Sequence, residues 1–561
     1  MQGSVLTLEV VTGQAVHKGQ TLLVMESMKM EHEIPAPVSG YVRDIIVAAS
    51  DTVFEEQELL SIEEAAIAPA EVTVHAPPPD APTIRADLAA VLERHRRTQD
   101  AARPEAVARR RKTGQRTARE NVDDLLDAGS FVEYGALTVA ARRQRHSVEE
   151  LIAQTPADGI VMGLGRVNGA LFADDTARVA VMAYDYTVLA GTQGVHNHRK
   201  MDRMIELAQR LRLPVVVFCE GGGGRPGDTE GGEVVRGFEY WARLSGVAPL
   251  LGIVSGRCYA GNASLLGCCD VVIATRDSNI GMGGPAMIEG GGLGVFRPEE
   301  IGPVSVQVAN GVIDLVVADE AEAVARARQY LGYFQGSMPE WNCGDQQRLR
   351  SMIPENRVQA YDIHALIRAL ADEDSVLELR AGFGRSMVTA LIRIEGRPMG
   401  LIANNPAVRG GAIDSDCADK AARFLQVCNA FDLPVLSLVD APGMMVGPEV
   451  EKTALVRHCS RLFIIGANLD VPILSVVLRK SYGLGALAMI GGSYHASLFT
   501  VAWPTAEFGP MGLEGSVKLG FRNELAAIKD PVEQKARFDQ LLSKAVDAGR
   551  ALSREIGRAH V

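Results

Sequence analysis

The N-terminal segment repeats itself at an interval of 37 residues, and this repeat constrains its fold more than any composition does. Gly3 recurs as Gly40, Val5 as Val42, Val10 as Val47 and Val16 as Val53. Gln20 recurs as Gln57, Leu22 as Leu59, Leu23 as Leu60 and Glu26 as Glu63. Short β-branched runs punctuated by Gly and Pro, met twice, predict two matching sets of short strands. Two such sets close into a flattened barrel with a tight hairpin at the end of one half. The pentapeptide Glu26-Ser27-Met28-Lys29-Met30 falls at that hairpin, so Lys29 is expected to be exposed there. Alone, Met-Lys-Met reads as a solvated lysine beside two core methionines. The repeat around it and the rigid turn Pro35-Ala36-Pro37-Val38-Ser39-Gly40 argue for a dedicated position.

These residues resemble the biotinyl carrier domains, which share their barrel with lipoyl carriers; the two methionines favour biotin. The resemblance implies covalent biotin on Lys29, framed by Met28 and Met30 and attached by a biotin protein ligase. It also implies one more short strand before the segment matching Met1-Gln2-Gly3. The sequence is therefore expected to begin late, or the barrel to lack that strand.

At 561 residues the chain is too long for one ordinary domain. Hydrophobic content of 47% with 57 glycines fits α/β domains with many tight turns. A net charge of −12 argues against broad nucleic-acid binding. One basic run, from Arg94 to Arg119, includes Arg96, Arg97, Arg109, Arg110, Arg111 and Lys112. It reads as a solvated helical face or as a contact for the phosphates of a nucleotide-like ligand. The eight cysteines are scattered without a paired CxxC, which argues against structural zinc or a disulfide scaffold and fits a reducing, cytoplasmic setting. The apolar runs are short and broken, so no membrane span is expected.

The carrier is expected over residues 1–64. Residues 65–83 are rich in Ala and Pro, include Pro77-Pro78-Pro79, and read as a linker. Stiffened by proline, it would reach roughly 60 Å at about 3.1 Å per residue. Ile84 to Leu126 is helical and highly charged in pattern, and after Asp127-Ala128-Gly129-Ser130 the chain turns α/β. Buried strands are predicted at Val179 to Ala183, Pro214 to Cys219, Leu250 to Val254 and Val271 to Ala274, with helices at Arg199 to Arg212 and Ala321 to Phe334. A second set of strands is predicted at Val388 to Ile394, Met399 to Ala403, Pro434 to Val439 and Ile473 to Leu478. The alternation predicts two parallel-sheet layers. The halves echo one another. Leu213-Pro214-Val215 recurs as Leu433-Pro434-Val435, and Arg257-Cys258-Tyr259-Ala260 recurs loosely as Lys480-Ser481-Tyr482-Gly483. Glu220 to Gly227 and Asp440-Ala441-Pro442-Gly443 are loops after matching strands; Ala260-Gly261-Asn262-Ala263 and Gly483-Leu484-Gly485-Ala486 are matching turns into helices.

Several ordered motifs carry a second resemblance. They are Thr117-Ala118-Arg119-Glu120, Leu125-Leu126-Asp127, Gly129-Ser130-Phe131, Asp185-Tyr186-Thr187 with Gly191, Gly194 and Lys200, and Asn404-Asn405-Pro406 with Gly411 and Asp414. Asp419-Lys420-Ala421-Ala422-Arg423-Phe424, Val439-Asp440-Ala441-Pro442-Gly443 and Arg479-Lys480-Ser481-Tyr482-Gly483 complete the set. From about residue 84 to 561 the chain resembles the carboxyltransferase subunit of acyl-CoA carboxylases. The implied fold class is a small all-β biotinyl/lipoyl-like barrel followed by two α/β crotonase-like (ClpP/crotonase) domains, at 84–335 and 336–561.

The resemblance implies that carboxybiotin on Lys29 delivers its carboxyl group to the α-carbon of an acyl-CoA. Two anions need stabilising, the thioester enolate and the biotin ureido anion. Backbone N–H groups at a helix N-terminus suit both. By resemblance Gly261 and Asn262 form the thioester hole, Gly485 and Ala486 the biotin hole, and Lys200, Tyr482 and Gly443 contact substrate. The departing biotin anion can take the α-proton, so neither His196, His198 nor Asp185 has to act as a base. Two departures stand out. Asn262 occupies a position commonly Gly in the family, and Leu487 lies where short-chain relatives often carry Asp.

Carboxylating biotin consumes ATP, and no phosphate-binding loop for it is evident: Gly221 to Gly224 lacks the following Lys-Ser/Thr. A separate biotin carboxylase subunit is therefore expected to use the ATP, beside a hexameric carboxyltransferase core. The C-terminus is expected to continue past Arg558-Ala559-His560-Val561. A biotin-dependent decarboxylase or transcarboxylase, and an inactive carrier scaffold, are the alternative readings.

Overall fold

The computed structural model describes residues 2–67, 84–225, 227–228 and 236–556. Most of the expected linker, residues 68–83, and the end of the chain lie outside them. The chain divides into two compact units, Met1–Ala89 and Ala90–Val561.

The first unit is a barrel of seven short strands: β1 (Gly3–Leu8), β2 (Ala15–Val16), β3 (Thr21–Ser27), β4 (Met30–Pro35), β5 (Gly40–Ile45), β6 (Thr52–Val53) and β7 (Leu60–Glu64). They form two sheets, β4-β3-β1-β6 and β2-β5-β7. The 37-residue interval carries β1 onto β5 and β2 onto β6, end for end. The core shows the same exchange. Val5, Val47 and Val53 pack in one cluster with Leu23 and Met25. Their counterparts Val42, Val10 and Val16 pack in the other with Leu22 and Ala36. Gly3 and Gly40 complete the relation. A Cβ on Gly3 would come within 3.0 Å of the Glu26 carbonyl, and one on Gly40 within 3.0 Å of the Glu63 carbonyl. Both sheets thus need a bare backbone where their strands cross.

The second unit opens with three helices, Ala86–Arg96 (shared with the end of the first), Pro104–Arg111 and Ala118–Leu125. Thr117 starts the last with a capping box, accepting from the Glu120 N–H at 3.1 Å while Glu120 accepts from the Thr117 N–H at 2.8 Å. Over most of its length the basic run is a solvated face: Arg96, Arg97, Arg109, Arg111 and Lys112 are exposed, while Arg110 is buried. Arg110 makes a buried two-point pair with Glu220 (2.8 and 2.5 Å), and Arg119 a two-point pair with Glu133 (3.0 Å each). Arg111 pairs with Glu120, and Arg96 and Arg97 pair with Glu93. Carboxylates already satisfy these guanidinium groups.

Two sheets follow. The first contains β8 (Val132–Glu133), β9 (Ile160–Arg166), β10 (Arg178–Tyr184), β11 (Val215–Phe218), β12 (Leu250–Val254), β14 (Val271–Thr275) and β16 (Leu315–Val317) in the order 16-14-12-11-10-9-8, with β13 (Arg257–Tyr259) and β15 (Asn279–Gly281) paired beside it. The second runs β17 (Leu377–Leu379), β18 (Met387–Ile394), β19 (Arg397–Asn404), β20 (Val435–Ala441), β21 (Ile473–Tyr482) and β22 (Phe499–Ala502), with β23 (Glu507–Gly509) on the far end of β21. Every strand predicted from the sequence is present. The layers are mixed rather than purely parallel: β8, β9 and β10, like β17, β18 and β19, pair antiparallel at one edge. The β18–β19 hairpin turns through Glu395 (φ 52°) and Gly396 (φ 75°), a two-residue link too short for a parallel crossover.

Alternate residues of β10 face opposite ways. Val179, Val181 and Ala183 join a core shared by both sheets, and Ala180, Met182 and Tyr184 join an outer core under the helix Val195–Leu211. The helices Glu320–Gln335 and Ser415–Ala430 contribute to the shared core. Tyr330, Phe334 and Phe431 stack edge to face there, with centroids 4.9 and 5.4 Å apart. Two ion pairs also join the halves, Arg423 with Asp270 and Arg380 with Asp314, each at 2.9 Å.

Candidate functional site

Lys29 sits at the apex of the β3–β4 hairpin. Ser27 pairs with Met30, leaving a two-residue loop in which Met28 (φ 53°) and Lys29 (φ 67°) are both left-handed. This is the turn whose twist matches a hairpin. Met28 is 96% exposed and Met30 64% exposed, so neither belongs to the core and the lysine between them is presented outward. An exposed amine on a tight, well-anchored turn fits a covalent prosthetic group.

In the second unit the duplication builds two similar loop clusters, and the match is closer than the sequence comparison implied. Residues 220 apart play the same parts. The Gln193 N–H donates to the Gly223 carbonyl (2.8 Å) and the Arg225 N–H to the Gln193 carbonyl (2.8 Å). In the other half the Ile413 N–H donates to the Gly443 carbonyl (3.2 Å) and the Met445 N–H to the Ile413 carbonyl (2.8 Å). Next to each cluster a strand, β13 or the end of β21, bends into a helix, Gly261–Gly267 or Gly483–Met489. The bend is left-handed in both, at Ala260 (φ 52°) and Gly483 (φ 55°). For Ala260, a residue with a Cβ, such a backbone costs about 1–3 kcal/mol, the strain expected where a loop is held for a purpose.

These bends fix the register between the halves. Ala260 corresponds to Gly483, so Asn262 corresponds to Gly485. The sequence-based choice of Gly261 with Asn262, and Gly485 with Ala486, therefore shares one equivalent pair and differs by one residue in the other. First-turn N–H groups have no partner within their own helix and lie at the positive end of its dipole, so both turns can stabilise an anion. A Cβ on Gly485 would meet the Gly443 backbone at 2.6 and 2.8 Å, which puts Gly443 directly against this turn. Asn262 is fully buried. Its Oδ1 accepts from the Gly223 N–H (3.0 Å), and its Nδ2 faces the carbonyls of Gly191 (3.3 Å) and Glu220 (3.4 Å).

Two expected substrate contacts are placed otherwise. Lys200 is buried, and its ammonium donates to the carbonyls of Ala157 (2.6 Å) and Ile160 (2.7 Å). Tyr482 is buried too; its hydroxyl donates to Glu507 (2.9 Å) and accepts from Arg357 (3.2 Å). Burial and the Glu507 carboxylate push that hydroxyl well above its usual range. Both residues support the loops instead of reaching into them.

Sequence reasoning missed the residues that lock the loops. Arg225, with its side chain almost fully buried, bridges Asp158 (2.5 Å) and Asp228 (2.8 Å) and donates to the Thr192 carbonyl (2.8 Å). In the second half Asp440, the counterpart of Glu220, accepts from Tyr361 (2.9 Å) and pairs with Arg479 (3.1 Å) and Lys480 (3.0 Å). Extending the Leu-Pro-Val match by simple counting would have marked Gly191 with Gly411 and Glu220 with Asp440. Asp185 is occupied by Arg103 (2.9 Å) and Thr187, and His196 by the Val139 carbonyl (2.7 Å). Leu487 packs against the shared core. Among the described residues no group of three His, Cys, Asp or Glu side chains could hold a metal ion.

Residues 109–552 match the family model described as Carboxyl transferase domain, and residues 1–62 the one described as Biotin-requiring enzyme. The structure of a single-chain, multi-domain long-chain acyl-CoA carboxylase is similar to 99% of this chain, at 52% identity and TM-score 0.80; the chain spans 53% of that protein's length. The transcarboxylase 12S hexamer, solved with methylmalonyl-CoA bound, matches 83% of this chain and 89% of its own at 29% identity, with TM-score 0.73. The biotin-dependent long chain acyl-coenzyme A carboxylase beta4 subunit of Mycobacterium tuberculosis is 31% identical over 459 residues, 77% of this chain and 82% of its own. The chain carries the small all-β barrel and the two crotonase-like α/β domains expected from its sequence.

Proposed function

We propose, since this chain belongs to the carboxyl transferase family and carries a biotin-requiring segment ahead of that domain, that it moves a carboxyl group from biotin on Lys29 to the α-carbon of an acyl-CoA. The observation that carries this reading is the presence, in one chain, of an outward lysine on a two-residue turn and of two matched helix-start turns. When bound, biotin supplies the carboxyl group and takes up the α-proton. Lys29, framed by Met28 and Met30, tethers it. The Gly261 and Asn262 N–H groups bear the enolate charge of the thioester. The Gly485 and Ala486 N–H groups hold the ureido oxygen, with Gly443 against their turn. Fixed backbone donors need no reorganisation as charge develops; losing one such donor costs about 3 kcal/mol in typical acyl-transfer sites.

The domains are 1–64, a linker over 65–83, 84–335 and 336–561. The likeness to a long-chain acyl-CoA carboxylase supports a long acyl chain, and the likeness to the transcarboxylase 12S hexamer supports a hexameric core. A biotin protein ligase loads Lys29, and a separate biotin carboxylase subunit spends the ATP. The multi-domain build of the single-chain relative favours a second arrangement, with that carboxylase covalently joined to this chain. No helix among the described residues is long and apolar enough to cross a membrane, and all eight cysteines are free, which supports a cytoplasmic site.

Intact mass of the native chain tests the carrier, with a biotin-sized increment lost in Lys29→Ala. Fixation of labelled bicarbonate into long-chain acyl-CoA, dependent on ATP and the copurifying carboxylase, tests the reaction. Carboxyl transfer from a carboxylated thioester without ATP would favour a transcarboxylase. Loaded chain with no acyl-CoA-dependent turnover would favour the inactive scaffold.

A further inference from the structure

The duplication leaves one arginine without the partner its counterpart has. β9 and β18 match residue for residue from Ile160 and Met387, which makes Arg393 the counterpart of Arg166. Arg166 is exposed and pairs with Asp174 (2.7 Å). Arg393 is only 8% exposed and pairs with no carboxylate among the described residues. Its Nη1 donates to the carbonyls of Gly336 (2.9 Å) and Gly396 (2.6 Å), and its Nη2 to that of Gly332 (2.7 Å). The Nε–H and one Nη2–H keep no acceptor among the described residues. Gly332 and Gly336 lie at the end of the helix Glu320–Gln335, and the guanidinium sits over the rings of Tyr333 and Phe172, 5.3 and 5.8 Å from their centroids. Helix end and rings offset part of the buried charge. Asp372 is near, but its carboxylate already accepts from the Glu395 and Gly396 N–H groups (3.0 and 2.7 Å).

Arg393 lines a cavity of about 290 Å³ to which both halves contribute, Phe172 and Tyr333 from the first, Trp341 and Asp374 from the second. The cavity lies away from the loop clusters. Arg393 pairs with Pro398 at the start of β19, and β19 runs parallel to β20, whose far end leads into the Asp440–Gly443 loop. The volume is at the low end for ligand sites and too small for a nucleotide or an acyl-CoA. Glu340 and Asp374 also line it, both exposed, and their carboxylates bond to no described residue. A simple anion would be repelled by these two carboxylates, and a simple cation would leave Arg393 unmatched. A carboxylate and an ammonium on one small molecule satisfy both. Trp341, 48% exposed, and Phe172 supply aromatic wall. We propose that this cavity binds a small zwitterion, an α-amino acid with an aromatic side chain. Its carboxylate takes the remaining N–H groups of Arg393, its ammonium faces Glu340 and Asp374, and its ring packs on Trp341 and Phe172. The site stands apart from the carboxyl-transfer reading.

The test is calorimetric titration of the purified full chain with L-phenylalanine, with 3-phenylpropionate, which lacks the ammonium, and with 2-phenylethylamine, which lacks the carboxylate. L-Phenylalanine is expected to bind saturably and each analogue about tenfold more weakly. Asp374→Asn and Trp341→Ala change exposed positions, and Asn tolerates the left-handed backbone of Asp374 (φ 58°). Each is expected to weaken L-phenylalanine about tenfold while the circular dichroism stays that of wild type. Saturating acyl-CoA should leave the affinity unchanged. No saturable binding of L-phenylalanine to wild type overturns the proposal. An analogue that binds as tightly as the amino acid also overturns it, since the cavity would then answer a single charge. Unchanged affinity in either variant, or displacement by acyl-CoA, places the ligand elsewhere and overturns it too.

Discussion

Lys200 and Lys420 occupy the same place in the two halves, each with its ammonium on two carbonyls at the start of a strand. Lys200 donates to Ala157 and Ile160 at 2.6 and 2.7 Å, and Lys420 to Phe383 and Met387 at 3.1 and 2.7 Å. Ile160 opens β9 and Met387 opens β18. Each lysine thus clamps a helix beside the loop clusters to the antiparallel edge of its sheet.

Burial pushes both lysines down from an ordinary value of 10.5 to about 8. Between those values the unfolded chain holds more protons than the folded one, so each lysine's contribution to stability rises with pH across that window. Lys420→Met removes this gain and leaves two carbonyls without their donor. It is expected to cost about 1–3 kcal/mol near pH 8. The deficit against wild type should widen toward pH 10 in denaturant melts; a constant or shrinking deficit would contradict the clamp.

Gly3→Ala and Gly40→Ala should harm the barrel to a similar degree, because each Cβ would strike an equivalent carbonyl, that of Glu26 or Glu63. Overpacking of this kind costs about 1–3 kcal/mol, and more where backbone must move. Limited proteolysis of residues 1–64 in the full chain measures it. Gly13→Ala is the comparison for backbone strain without overpacking, since Gly13 has a positive φ (87°), which Gly3 and Gly40 lack, and nothing within 4 Å of its Cβ.

Met28→Ala should leave stability within about 0.5 kcal/mol of wild type, as expected for an exposed residue away from packing. If Met28 serves attachment, the same change lowers the initial rate of biotin incorporation by purified ligase. An unchanged rate would confine the attachment role to Lys29.

Tyr482→Phe and Glu507→Gln separate support from substrate contact. Glu507 is buried against Arg357 (2.9 Å) and Arg550 (3.3 Å) as well as the Tyr482 hydroxyl. Glu507→Gln leaves Arg357 its pair with Glu514 but removes the buried carboxylate that Arg357 and the Tyr482 hydroxyl share, and should cost about 1–3 kcal/mol, whereas Tyr482→Phe should cost about 1 kcal/mol. KM for acyl-CoA should hold steady in Tyr482→Phe. A rise of tenfold or more would restore the tyrosine as a substrate contact.

The 37-residue repeat made the barrel legible because its valines mark both strand and core, and each recurs with its role intact. The predicted α/β strands were legible as apolar runs interrupted only by isolated small or polar residues such as Gly252, Gly400 and Ser437. β9 was not, because two glycines, Gly163 and Gly165, break its seven residues. The structure shows why they are there: a Cβ on Gly163 would meet Val132 and Phe131, and one on Gly165 would strike Leu126. Close packing of neighbours had erased the signal that would have announced the strand.

The sequence by itself determined the lysine on its turn, the duplicated layers and the two helix-start turns, since each is written in neighbouring residues or in a fixed interval. Only the tertiary structure decided that Lys200 and Tyr482 face inward, that Asn262 stands opposite Gly485, and that Arg225 and Asp440 lock the loops. Those roles depend on hydrogen-bond and ion-pair partners brought together from distant parts of the chain, and a buried polar residue carries no periodicity that names its partner.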